Sequence, residues 1–82
     1  MRDDNTPWLV ARAAVERLKQ GTPVLALGVR SSRTADIARM ARSSGHHAIW
    51  VDLEHSTMPI DAAALICAAA LDIGLAPFVR VP

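Results

Sequence analysis

Two carboxylates and an imidazole fall within four residues, Asp52-Leu53-Glu54-His55, where an apolar run from Ala48 to Val51 ends. An imidazole titrates near neutral pH and can take a proton from carbon or from a bound water. A neighbouring carboxylate, Asp52 or Glu54, could orient it or favour its charged form. The bland alternative is an acid-rich, solvated strand-end loop. Arg80 stands between Val79 and Val81 in another apolar run. Its guanidinium stays charged in a protein, so it must reach solvent, an acid or a ligand. A fork of N–H donors fits a substrate carboxylate bidentately, and equally fits an internal salt bridge to Asp52 or Glu54. Arg30 and Arg33, beside Ser31 and Ser32, could hold an anion or simply face water.

These residues meet only if the elements carrying them deliver them to one place. A buried strand can lift polar side chains into a site only at its end, because in mid-strand they would lie unpaired in the core. Arg30, Asp52 and Arg80 each follow such an apolar run. Past the carboxyl ends of parallel strands is where open α/β sheets and (β/α) barrels keep their chemistry.

The pattern predicts six elements. Thr6-Pro7 reads as an N-cap and a first-turn proline, opening an amphipathic helix over residues 7–20, with Leu9, Val10, Ala13, Ala14 and Leu18 on its stripe and Gly21 as its stop. Strands are expected at about 24–29, 48–53 and 76–81, the first buried on both faces. A helix from about Thr34 to Ser43 should turn Ile37, Met40 and Ala41 inward and Arg39 and Arg42 toward water. A third helix, from Pro59-Ile60-Asp61 to Asp72, is apolar nearly all round, as in helices covered on more than one side. Strand-to-strand spacing of about 24 to 28 residues matches successive right-handed βαβ units in a parallel sheet.

Composition narrows the function. The 82 residues are 51% hydrophobic and 21% charged, which excludes disorder. A formal net charge of +1 gives no reason to expect nucleic acid or an anionic membrane as partner. The single cysteine, Cys67, excludes an intramolecular disulfide, points to a reducing compartment, and reads as core filler rather than nucleophile. The N-terminus is not a secretory signal, and no apolar run approaches the roughly 18 residues of a membrane helix; the expected location is cytoplasmic. No glycine-rich phosphate loop follows a strand, so nucleotide binding is unsupported. His46 and His47, adjacent on a chain entering a strand, point to opposite sides and are expected to be loop residues rather than a metal pair.

The run Gly28-Val29-Arg30-Ser31-Ser32-Arg33, then Ala35-Asp36-Ile37-Ala38, Gly45, Val51-Asp52-Leu53-Glu54-His55-Ser56 and Val79-Arg80-Val81-Pro82, resembles the HpcH/HpaI aldolase/citrate lyase family. The resemblance covers nearly all the chain from Pro23 onward. It implies an α/β fold, the N-terminal βαβαβ portion of a (β/α)8 TIM barrel preceded by the amphipathic helix. It further implies metal-dependent aldol cleavage or formation of 2-keto-4-hydroxy acids through a pyruvate-type enolate. A divalent ion (Mg2+, Mn2+ or Co2+) is the family's Lewis acid. By position, His55 matches the acid/base histidine and Arg80 the arginine on the keto acid; Asp52, Glu54 and, more loosely, Arg30 match the substrate and metal-water shell.

Two departures stand out. His46-His47 replaces an aromatic-Asp pair, and the family's metal-ligating Glu and Asp come from later strands, so no metal ligand is expected within this chain. Small 2-keto acid and aldehyde substrates, and a homo-oligomer at full length, are the implied partners. The chain accordingly reads as the first third of a barrel. The alternatives are a truncated, non-catalytic remnant that associates through open strand edges, and a carboxylate-binding module without turnover.

Overall fold

A computed structural model describes residues 6–82, the side chains of Thr6 and Pro7 excepted. The capping expected of those two side chains therefore lies outside the described residues. The chain runs α1 (Thr6–Lys19), β1 (Ala26–Val29), α2 (Asp36–Ser43), β2 (Ala48–Asp52), α3 (Ile60–Asp72) and β3 (Ala76–Arg80). The strands form one parallel sheet in the order β1-β2-β3. Sequential parallel neighbours joined by helices are what consecutive βαβ units produce.

Strand side chains alternate between the two faces, and the helices treat those faces differently. Val29, Ile49 and Val51 pack with Ala38 and Ala41 of α2 and with Ala62, Ala63, Ile66 and Ala70 of α3. On the opposite face Ala48 and Ala76, at the strand entries, pack against Ala14 of α1, flanked by Val10, Val24 and Phe78. α1 therefore closes only the amino-terminal end of that face. Farther along, Trp50 is 45% exposed.

Several boundaries and faces differ from the sequence expectation. β1 starts at Ala26 rather than near Val24. Just before it, the Leu25 carbonyl accepts the His47 and Ala48 N–H groups, and the Leu25 N–H donates to His47 Nδ1 at 3.0 Å. β1 is also not buried on both faces: Val29 is covered, whereas Ala26 and Gly28 are exposed on the face that α1 closes only in part. α2 begins at Asp36 and turns Ala38 and Ala41 inward; Met40 is 62% exposed. Two alanines three residues apart let the helix backbone lie close to the sheet, and methionine is displaced outward. Arg42 is exposed, as expected, and also donates from Nε to the Ile73 carbonyl at 3.2 Å, tying α2 to the end of α3. α3 buries a single stripe, and its Ile60 and Leu65 remain 75% and 63% exposed. Gly45 and Gly74 end α2 and α3 at φ values of 86° and 77°, which only glycine adopts without strain. No helix among the described residues is long and apolar enough to cross a membrane.

A candidate active site at the carboxyl ends of the strands

Parallel register decides which polar residues meet. Asp52 is paired with Arg80 across β2 and β3, and Val29 with Val51 across β1 and β2. Arg30, one residue past Val29, is therefore level with Asp52. The three strand ends bring two guanidiniums to either side of one carboxylate, on the face that carries Trp50 and Phe78.

Asp52 is the hub. It is 1% exposed and is the buried charged residue among those described. Arg80 grips it with two bonds, Nε to Oδ1 at 3.2 Å and Nη2 to Oδ2 at 2.6 Å. Oδ1 also accepts the Glu54 and His55 backbone N–H groups, each at 2.9 Å, so the carboxylate closes an Asx-type turn on the loop that follows it. Arg30 Nε stands 3.5 Å from Oδ2. The Arg80 hydrogen bond, followed by that of the His55 amide, holds the Asp52 carboxyl well below the usual carboxylate range and outweighs the opposing effect of burial. In return, the bond to Asp52 raises the Arg80 pKa.

Glu54 takes the part the sequence left open between two acids. Its Oε1 lies 3.1 Å from His55 Nε2 and 3.7 Å from Arg80 Nε. The imidazole is thus oriented by Glu54, while Asp52 fixes the backbone beneath it. The His55 ring is mostly exposed and Arg80 partly so, which leaves both open to a small molecule on this face. The internal salt bridge and the open donor face of Arg80 coexist, because a guanidinium has five N–H groups.

Arg30 and Arg33, both exposed, reach across from the loop after β1 to the loop after β2. Arg30 Nη2 donates to the His55 carbonyl at 2.8 Å, and Arg33 donates to the Thr57 carbonyl at 3.0 Å. Ser56 Oγ donates to the Asp52 carbonyl and accepts the Met58 N–H. Sequence reasoning missed Ser56 and Thr57 as part of this clasp. Their residue types, common in loops that bond their own backbone, were the available signal.

Other candidates stay apart. His46 Nδ1 contacts the Ala41 carbonyl and His47 Nδ1 accepts from Leu25, so the two rings serve different partners at the far end of β2. Cys67 is half-buried in α3, and burial pushes its thiol pKa up, which suits filler rather than nucleophile. No group of three or more His, Cys, Asp or Glu among the described residues is placed to hold a metal ion. Asp52 has spent its oxygens on four protein donors, and Glu54 is engaged by His55. The described residues do not by themselves fit a divalent ion.

Three parallel strands joined by helices, with polar residues at their carboxyl ends, fit a portion of a (β/α)8 barrel. In sequence, the chain is 47% identical over 58 residues to the 4-hydroxy-4-methyl-2-oxoglutarate aldolase tasA of Hapsidospora irregularis, a match covering 70% of this chain and 21% of that protein. It is 40% identical over 75 residues to the 4-hydroxy-4-methyl-2-oxoglutarate aldolase cghB of Chaetomium globosum, covering 90% of this chain and 26% of that protein. In fold it resembles the crystal structure of an HpcH/HpaI aldolase from Desulfitobacterium hafniense, with a TM-score of 0.75 and 24% identity over 83% of this chain and 26% of that one. No protein-family model matches. The curated relatives are aldolases and the fold neighbour is an HpcH/HpaI aldolase, which together support the resemblance to that family over the part this chain covers. It spans about a quarter of the length of the curated relatives it matches.

Proposed function

We propose that this chain supplies the acid/base and anion-binding side of an aldolase site for 2-keto-4-hydroxy acids. The observation that carries the reading is the chain Arg80–Asp52–Glu54–His55. It presents a guanidinium and an imidazole together at the strand ends. In the cleavage direction His55 takes the proton of the C4 hydroxyl. The C3–C4 bond breaks, its electron pair passes to the keto acid as an enolate, and a carbonyl compound leaves. Protonation at C3 then yields the 2-keto acid. Arg80 donates to the keto acid's carboxylate and to the oxygen on which charge develops. Glu54 keeps the imidazole oriented. The divalent ion that the resemblance implies, Mg2+, Mn2+ or Co2+, would take its ligands from outside the described residues, and these steps concern this chain's own groups alone.

The two curated relatives are named for 4-hydroxy-4-methyl-2-oxoglutarate, which makes that methyl-branched keto diacid the substrate we propose here as well. The test is exchange of pyruvate methyl protons with D2O in the presence of a divalent metal, followed by NMR. His55→Ala should slow exchange by about 10²- to 10⁴-fold, and Arg80→Ala should weaken the dependence on pyruvate concentration. Unchanged exchange in His55→Ala would overturn the assignment.

A second reading rests on an apolar groove lined by Leu53, Ile60, Ala63, Cys67, Val79 and Val81 on the outer side of β3 and α3. Here the chain acts through association with another chain, without turnover. Pyruvate exchange that depends on His55 excludes it.

A further inference from the structure

We propose that Arg30 is a positioning residue for His55. It holds the loop after β2 by the His55 carbonyl, with Arg33 as a second stay at Thr57, and fixes where the imidazole stands without itself touching substrate. The inference rests on the aldolase reading and adds to it what keeps the acid/base group in place. His55 has both of its peptide groups held by charged side chains. Its N–H donates to Asp52 Oδ1 at 2.9 Å, and its carbonyl accepts from Arg30 Nη2 at 2.8 Å. Exposed loop backbone can satisfy such groups with water alone. Bonds to ionised groups are shorter and stronger than neutral ones, so they set a geometry that water does not.

The sheet explains why side chains are needed on this side. β1 pairs with β2 as far as Val29 and Val51, and that ladder ends there. Toward β3, the segment after β2 keeps a backbone bond, from the Leu53 N–H to the Arg80 carbonyl at 3.0 Å, beside the Arg80–Asp52 pair. Toward β1, the hydrogen bonds that reach residues 54–58 among those described come from arginine side chains. Arg30 takes the His55 carbonyl, and Arg33 takes the Thr57 carbonyl and hydroxyl at 3.0 and 3.4 Å. Arg30 also stands against the hub, its Nε 3.5 Å from Asp52 Oδ2. One guanidinium thus spans the buried carboxylate and the peptide that carries the imidazole.

Without Arg30 the His55 carbonyl turns to water, and the residue keeps its N–H bond to Asp52 and the contact of Nε2 with Glu54 Oε1. Glu54 belongs to the same loop, so it moves with the ring and cannot replace the anchor. Displacing a reacting group by about 1 Å costs on the order of 10²-fold in rate. This role differs from a substrate contact in its signature. A guanidinium that bound the keto acid would set the half-saturating concentration, whereas one that places the base sets the maximal rate, and only through His55.

In the pyruvate methyl exchange assay, Arg30→Ala should lower the maximal rate by about 10- to 10²-fold and leave half-saturation within about twofold of wild type. Arg33→Ala should do the same more weakly, its bonds lying farther along the loop. In a His55→Ala background, Arg30→Ala should remove nothing further, because both changes act on one group. In the isotope-labelled chain the His55 carbonyl 13C resonance should shift in Arg30→Ala, while the amides of α3 keep their positions and mark the variant as folded. A raised half-saturation at unchanged maximal rate, an additive loss in the double variant, or an unmoved His55 carbonyl would overturn the proposal. Failure of the aldolase reading looks different: the His55 carbonyl shifts, but methyl exchange is absent from the native chain or indifferent to His55→Ala, and the positioning role falls with that reading.

Discussion

Asp52→Asn changes one atom and separates the two tasks of the hub. In the native chain the carboxylate accepts four hydrogen bonds: two from backbone amides and one from Arg80 Nε at or near Oδ1, and one from Arg80 Nη2 at Oδ2. Asparagine has one carbonyl oxygen. Placed at the Oδ1 position, it keeps the two amides and the Nε contact, but its NH2 then meets Arg80 Nη2 where a 2.6 Å acceptor had been. Turned over, it keeps Nη2 alone and points donors at both backbone amides. The first orientation retains three bonds against one, so the loop carrying His55 stays folded while the Arg80 fork loses its anchor. Arg30 loses its charge partner at the same time.

Misplacing a substrate-orienting group by about 1 Å costs on the order of 10²-fold in rate. We therefore expect pyruvate methyl exchange to fall by about 10²-fold in Asp52→Asn, with the Glu54 and His55 amides still protected from hydrogen exchange. A folded variant whose exchange rate stays within roughly threefold of wild type would refute Asp52 as the positioner of Arg80.

Acid should act through the same residue. The Asp52 pKa is lowered in the folded chain, so its contribution to stability is fully present above the unfolded carboxylate value of about 3.9 and is lost as pH falls below it. Stability measured by urea unfolding should drop steeply below about pH 4 in the native chain and less steeply in Asp52→Asn. Ile66 is fully buried between α3 and the sheet; Ile66→Ala should cost about 2–5 kcal/mol in the same assay, and a loss under 1 kcal/mol would mean that the core closes over the gap. Cys67 should react with iodoacetamide at neutral pH far more slowly than a free thiol and speed up on unfolding, because its thiolate is disfavoured and half-covered. Equal rates in the folded and unfolded chain would contradict its place in the core.

The chain by itself determined the order of elements. Apolar runs without alternation, glycines at the helix ends and βαβ spacing are local signals. Each is set by backbone preference and by the need to bury a face. It also placed Arg30, Asp52, His55 and Arg80 at strand ends, since polar residues closing an apolar run have nowhere else to go. What it left open were choices among partners. Whether Arg80 meets Asp52 or Glu54, and which acid orients His55, depends on a register between β2 and β3 that joins residues 28 positions apart. That register follows from packing of the whole sheet against α2 and α3. The exposed faces of β1 and α3 were misjudged for the same reason. Hydrophobic content shows that a segment can be buried, but only its neighbours in space decide how many of its sides are covered.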